Sequence, residues 1–237
     1  MHISSIQNPK VQWLRALLST RKKRTEEQRY VAEGIRLIED AAQSGQLPEC
    51  VFHSDQLITR GQLLLNSFIE KNIETINLTT ELLNRISDTQ TSQGMIAVYK
   101  IPQPAIPNNL NFTLIIDSVR DPGNLGTLLR SASAAGVQLC LLTPTTTDGY
   151  APKVLRAGMG AHFHVPVVDK SWDDIIQICS TAKPALEVFL AESSDGDPCW
   201  QQDFKQPLAL IIGGEASGAS AAGKNLASKN VKIPMPG

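Results

Sequence analysis

Residues 112–143, FTLIIDSVRDPGNLGTLLRSASAAGVQLCLLT, decide the fold class. Two apolar runs, "FTLIIDSV" and "VQLCLLT", flank a stretch in which Leu125, Leu128, Leu129, Ala132 and Gly136 recur at the spacing of one helical face. This is a strand, a helix and a second strand, and the pattern continues. Further strands are expected at "FHVPVV", "ALEVFLA", "PLALIIG" and "VKIPM", with helices over Ala151–Ala157, Trp172–Thr181 and Ala219–Ala227 between them. Apolar runs separated by helices predict an α/β fold whose mostly parallel sheet is covered on both faces. Ligands of such sheets bind at loops leaving the carboxyl ends of strands. The loops to read are therefore "DSVRDPGN", "LTPTTTDGY", "AESSDGDP", "GGEASG" and "PMPG".

Ahead of this half, "IPQPAIPNN" (101–109) holds three prolines and resists both helix and central strand, so it is expected to be a linker. Residues 1–100 then form a domain of their own and residues 110–237 a second. Residues 8–45 read as mostly helical, with Val11, Leu14, Leu17 and Leu18 on one face and a second helix over 34–42. Short strands at "CVFH" and "GMIAVYK" flank a helical "RGQLLLNSFIEKN", which makes the first domain a small α/β unit.

With 237 residues, 42% of them hydrophobic, the chain can bury a substantial core. A net charge of −1 hides a basic amino terminus, where Arg21, Lys22, Lys23 and Arg24 form a run suited to RNA phosphates or to a solvated helix end. Four scattered cysteines argue against a zinc ribbon or a disulfide framework and fit a reducing compartment. No apolar run approaches the roughly 20 residues of a membrane span, and the amino terminus resembles neither a signal nor a transit peptide. The expectation is a cytoplasmic protein with no membrane partner. His162 and His164 would share a face of a strand, yet a third ligand is missing and no metal is expected. Lys153 and Arg156 could touch RNA or lie on a solvated helix face.

Arg130 sits off the buried stripe of its helix. Asn124 is the expected N-cap, and Arg130, leaning back over Gly126, would bring its guanidinium near Asn124 and the open amides of the first turn. That is a place for a phosphate or carboxylate; a solvated surface charge is the alternative. In "IIGGEASG", Gly213, Gly214 and Gly218 surround Glu215 at the end of an apolar strand, where backbone can approach a ligand closely or merely turn. Neither stretch matches a dinucleotide fingerprint or a phosphate loop.

"DPGNLGTLLRSASAAGV", "LALIIGGEASGAS" and "VKIPMPG", in this order, resemble the three motifs of the SpoU (TrmH-like) RNA ribose methyltransferases of the SPOUT superfamily. "VLRAGMGAHFHVPV" resembles the segment between the first two motifs, and residues 8–41, with Tyr30–Gly34, are similar to the family's substrate-binding domain. The resemblance covers nearly the whole chain. It implies a small ribosomal-protein-like RNA-binding domain followed by a SPOUT domain with a deep trefoil knot, which binds S-adenosylmethionine. It implies a homodimer and methyl transfer to a ribose 2′-hydroxyl of ribosomal or transfer RNA. By motif, Asn124, Arg130 and Glu215 are the catalytic set. Ile212, Gly213, Gly214, Glu215, Gly218, Ile233, Pro234 and Met235 would meet the cofactor, and Arg130 also the RNA. The family continues past its third motif into a Ser-Leu-Asn stretch and a final helix, which this sequence lacks, so weak cofactor binding and weak dimerisation are expected. The rival readings are an impaired RNA-binding relative that serves as an assembly factor, and a base methyltransferase.

Overall fold

In the computed structural model, residues 2–89 and 92–234 are described, and they form two compact α/β units. The first holds residues up to Pro102 together with Tyr150–Phe163, and the second holds Gln103–Gly149 and the residues from His164 onward.

The first unit runs β1 (His2–Ile3), α1 (Pro9–Ser19), α2 (Arg21–Glu27), β2 (Arg29–Glu33), α3 (Ile35–Gln43), β3 (Cys50–Ser54), α4 (Thr59–Glu70), β4 (Glu74–Leu78), α5 (Thr80–Ile86) and β5 (Met95–Lys100). Among the described residues its sheet has the order β1-β4-β3-β5-β2, antiparallel where β5 meets β3 and β2. Alternation along the strands feeds two cores. Tyr30 and Ala32 face α3 and α4 with Ile35, Ile38 and Phe68, whereas Val31 faces α1 and α5 with Leu14, Leu17 and Leu83. The first helix starts as its sequence demands: Asn8 Oδ1 accepts the Lys10 N–H at 3.0 Å, Pro9 follows, and Val11, Leu14 and Leu17 are buried.

Residues 29–33, expected to be helical, are instead the edge strand β2. The preceding helix is stopped at Gln28, whose φ of 53° is left-handed, and Tyr30–Glu33 are buried on both faces of the sheet. The sequence reading also passed over β1, β4 and α5.

The second unit contains β6 (Phe112–Asp117), α6 (Pro122–Ala134) and β7 (Leu139–Leu142). The chain then passes through α7 (Pro152–Gly158) and a 3₁₀ turn over Ala161–Phe163, both of which cluster with the first unit although they were expected in the second. It resumes with β8 (Val167–Asp169), α8 (Trp172–Thr181), β9 (Glu187–Ala191), β10 (Asp197–Pro198), β11 (Leu208–Gly213), α9 (Ala221–Leu226) and β12 (Lys229–Lys232). Among the described residues these strands form one parallel sheet in the order β10-β12-β9-β11-β6-β7-β8. Ile115, Leu141, Leu190 and Ile211 pack one face against Ile175 and Cys179 of α8.

Residues 101–110 carry neither helix nor strand, and the units divide between Pro102 and Gln103. The stretch is not all linker, because Ile106 packs on the second core and the Asn108 carbonyl accepts the Lys183 N–H at 2.7 Å. The two histidines do not share a strand face. Pro166 delays β8 to Val167, His162 is buried in the 3₁₀ turn, and His164 is exposed. Among the described residues no helix is long and apolar enough to cross a membrane, and no group of three or more His, Cys, Asp or Glu side chains could hold a metal ion.

All four cysteines are free thiols. Burial pushes Cys140 up to about 12 and Cys179 up to about 11. Cys50, also buried, is pushed up to about 12 by the same cause. Only Cys199 is partly exposed. At pH 8 a native-state thiol titration should therefore label one cysteine per chain, rising to four in denaturant.

Candidate active site at the carboxyl edge of the parallel sheet

Every strand of the second sheet is parallel, so all carboxyl ends lie along one edge. From β6 the chain moves through α6 to β7 on one side, and from β11 through α9 to β12 on the other. The switch point is thus between β6 and β11, the place where such sheets form a crevice. Asp117 and Gly213 are paired in register as the last residues of these neighbouring strands.

Helix α6 begins three residues earlier than expected. The N-cap is Asp121, not Asn124: Asp121 Oδ1 accepts the Asn124 N–H at 2.8 Å, and Pro122 supplies the fixed φ of a first helical residue. This moves Asn124 into the first turn, where its Nδ2 donates to Glu215 Oε1 at 2.6 Å. The first and second motifs, 91 positions apart in sequence, are thereby joined across the switch point. Arg130 is exposed on the same helix, and Gly126, over which it was expected to lean, is buried along with Leu125, Leu129 and Ala132.

Glu215 lies in a turn closed by two hydrogen bonds, from Gly214 N–H to the Gly218 carbonyl (3.1 Å) and from Gly218 N–H to the Gly214 carbonyl (2.9 Å). A Cβ on Gly214 would stand 2.4 Å from the Ser118 carbonyl oxygen, so only glycine lets the turn lie against the end of β6. Gly218 has φ +64°, and a Cβ there would meet nothing within 4 Å. Its backbone therefore faces open space beside the exposed Glu215, Ala216 and Ser217. Ile212 and Gly213 are half-buried before the turn, and Ile233 at the end of β12 is 68% exposed. A bare backbone turn preceded by the aliphatic Ile212 fits a ligand with an apolar ring and hydrogen-bonding edges, as S-adenosylmethionine has. Pro234 follows Ile233 beyond the end of β12, and Met235 falls outside the described residues.

One residue of this edge was not expected from the sequence. Asp117 has no solvent exposure. Its Oδ1 accepts from the Ser118 hydroxyl at 2.9 Å and the Thr143 hydroxyl at 3.1 Å, and its Oδ2 accepts the Ser220 N–H at 2.6 Å. The available signal was an acid closing an otherwise apolar strand. The threonine loop after β7 adds to the lock, since Thr143 and Thr146 hydroxyls accept the Ser118 N–H.

The basic run on the first unit divides. Arg24 is 4% exposed and donates through Nη1 to the Leu17 carbonyl and, at 3.2 Å, to the Leu18 carbonyl. It satisfies the open end of α1 and is not presented to RNA, which corrects the expectation for this residue. Arg21, Lys22 and Lys23 stay at the surface. Lys22 pairs with Glu26 at 3.7 Å and Lys23 with Glu27 at 2.5 Å.

The family described as the SpoU rRNA methylase family matches residues 111–237, and the MRM3-like substrate binding domain matches residues 8–97. The chain belongs to the SpoU rRNA methylase family and is an RNA methyltransferase of that class. Among curated relatives it is 30% identical to the 23S rRNA (guanosine(2553)-2′-O)-methyltransferase RlmP of Bacillus subtilis, over 99% of this chain and 91% of that protein. It is 38% identical to the mitochondrial rRNA methyltransferase 3 of Mus musculus, over 92% of this chain but only 65% of that protein. Among solved structures, the SpoU methyltransferase AviRb of Streptomyces viridochromogenes in complex with AdoMet matches with a TM-score of 0.84 and 28% identity, covering 97% of this chain and 90% of that one.

Replacing Asp117 by alanine strips the Ser220 amide and the Thr143 hydroxyl of a buried acceptor. The expected cost is about 2–4 kcal/mol, read as a lowered denaturation midpoint. A variant as stable as the parent would show that the edge does not depend on this carboxylate.

Proposed function

We propose that this chain transfers a methyl group from S-adenosylmethionine to a ribose 2′-hydroxyl of ribosomal RNA. The observation that carries the reading is the Asn124–Glu215 hydrogen bond, which joins the first two motifs at the switch point of the sheet. Relatives whose names specify 2′-O-methylation or rRNA methylation, and a similar structure in complex with AdoMet, support the same choice of substrate and cofactor. The free thiols fit action in a reducing cytoplasm.

When bound, S-adenosylmethionine supplies a sulfonium methyl group that needs no further activation. The protein's share is orientation and exclusion of water. The backbone of 212–214 and 218, with Ile233 and Pro234, holds the cofactor. Arg130 grips the phosphate next to the target ribose with its planar donor fork. A guanidinium, with an intrinsic pKa above about 12, is a poor general base, so its work is to place the hydroxyl rather than to take its proton. Asn124 and Glu215, already bonded to each other, fix the hydrogen bonds around that hydroxyl. On the first unit Arg21, Lys22 and Lys23 meet RNA phosphates. The ion pairs of Lys22 and Lys23 are surface pairs of small worth and exchange readily for phosphate.

The active form is a homodimer. Leu210 and Ile212 belong to β11, a central strand, yet both are only partly buried, and a hollow of about 410 Å³ beside Leu210 is lined by Phe112, Phe204, Pro207 and Leu208. A second copy covers this apolar face. Light scattering should give twice the chain mass at micromolar concentration, and Leu210→Glu should shift it to the monomer. A parent that stays monomeric would contradict the assignment.

Arg130→Ala should lower kcat/KM for methyl transfer by about 100-fold. Arg130→Lys should recover only part, because an ammonium cannot reproduce a bidentate contact. Nuclease digestion and nucleoside mass spectrometry of the product should show a 2′-O-methyl nucleoside. A base-methylated product, or near-normal turnover by both variants, would overturn the reading.

A further inference from the structure

Among the described residues, four other than glycine have a positive φ: Gln28 (53°), Asn72 (58°), Ser118 (62°) and Met159 (45°). Gln28, Asn72 and Met159 stand at the ends of α2, α4 and α7, where a left-handed residue is an ordinary way to stop a helix. Ser118 follows a strand instead. Strands β6 and β11 run in register as far as Asp117 and Gly213, so an extended residue 118 would carry the ladder on opposite Gly214. The left-handed φ stops it there and begins the turn into α6, the helix of Asn124 and Arg130.

Serine does not choose this conformation by itself, because its Cβ then crowds the backbone. Its neighbours impose it, and all of them belong to the second unit. The Ser118 N–H is accepted by the Thr143 hydroxyl at 3.3 Å and the Thr146 hydroxyl at 3.1 Å. Both can accept, since their own protons go to Asp117 Oδ1 at 3.1 Å and to the Ile116 carbonyl at 2.9 Å. The Ser118 hydroxyl donates to Asp117 Oδ1 at 2.9 Å and therefore accepts from the Thr145 hydroxyl at 2.7 Å. Its carbonyl oxygen occupies the place a side chain on Gly214 would need, 2.4 Å from that Cβ. A backbone fixed through amide, hydroxyl and carbonyl at once can keep a strained φ, and such residues gather at functional sites.

The bend sets the direction of both motifs. Three residues on, Asp121 caps α6 and presents Asn124 to Glu215. On the other side, the Ser118 carbonyl is the surface against which the Gly214–Gly218 turn lies.

We propose that Ser118 is a positioning residue for methyl transfer: its left-handed backbone, held by Asp117, Thr143, Thr145 and Thr146, sets Asn124 against Glu215. This rests on the methyl-transfer reading above. Ser118 touches neither RNA nor cofactor in this role, so disturbing it lowers turnover rather than substrate affinity.

The test compares Ser118→Ala, Ser118→Gly and Thr145→Val in the full chain, at a temperature well below each denaturation midpoint. The first two remove the same hydroxyl, but only glycine adopts a left-handed φ freely. Alanine should slow single-turnover methylation at saturating RNA and S-adenosylmethionine about tenfold, with both half-saturating concentrations within about twofold of the parent's. Glycine should recover the rate to within about threefold of the parent. Thr145 is exposed, so Thr145→Val leaves the core intact. It should slow transfer about threefold alone and leave the Ser118→Gly rate unchanged, because glycine no longer needs the support. Hydrogen exchange of the Gly214 and Gly218 amides, read without substrate, should quicken about tenfold in the alanine variant and less in the glycine variant. A glycine variant as slow as alanine, an alanine variant as fast as the parent, a loss confined to substrate affinity, or unchanged exchange in the alanine variant would overturn the proposal. If Ser118→Ala does not fold, Thr145→Val with and without Ser118→Gly decides. If the parent transfers no methyl group, the functional reading fails by itself, and hydrogen exchange alone then decides whether the bend holds the turn.

Discussion

Asp117 carries a carboxylate with no path to solvent, and the loops of the catalytic edge are arranged by the need to satisfy it. An ionised group in a low-dielectric interior is tolerated only when donors replace its lost water. Here the donors come from three separate stretches of chain: Ser118 at the exit of β6, Thr143 after β7, and the Ser220 amide at the N-cap of α9. Each stretch also borders a loop of the candidate site. The first motif leaves from Ser118, the threonine loop begins at Thr143, and the glycine turn of the second motif ends at Ala219. One buried charge therefore converts three independent loops into a single preorganised edge, as catalysis by orientation requires.

Two of the arginines expected to meet RNA, Arg24 and Arg130, show how local backbone decides the fate of one residue type. Helix α1 ends with carbonyls that lack partners inside the helix, and Arg24 folds back over Leu17 and Leu18 to supply donors. Its charge is spent on structure. Arg130 lies within α6, where the carbonyls of the preceding turn are already taken by the helix itself, and it is exposed. A run of basic letters does not separate these cases, because the deciding feature is the distance to the nearest unsatisfied helix end.

Much of the second unit was legible because buried parallel strands are written as unbroken apolar runs. Helix α8 matches its expected limits, Trp172–Thr181. In the first unit, β2 was hidden by its own burial: "RYVAE" follows a charged helix after one residue, and both of its faces are buried, so no alternation of polar and apolar residues marks it. The placement of 150–163 was illegible for another reason. Sequence continuity assigns it to the second half, and contacts distant in sequence, such as those of its rings with Tyr30 and Tyr99, draw it into the first core. Tertiary packing of that kind leaves no local trace.

The candidate site stands between these extremes. The resemblance of motifs singled out Asn124 and Glu215 but could not say that they touch. Strand order supplies the missing step. Once β6 lies beside β11 with Asp117 opposite Gly213, the next residues, Ser118 and Gly214, leave from adjacent strand ends about 4.8 Å apart. At that spacing a side chain on residue 214 would strike the Ser118 carbonyl, so glycine is required and the turn must lie flat against the β6 exit. A flat turn brings Glu215 to the first turn of α6, where the Asp121 cap and Pro122 have already turned Asn124 outward. The pairing across 91 residues is thus a consequence of register, a glycine and a helix cap, which only the order of the sheet connects.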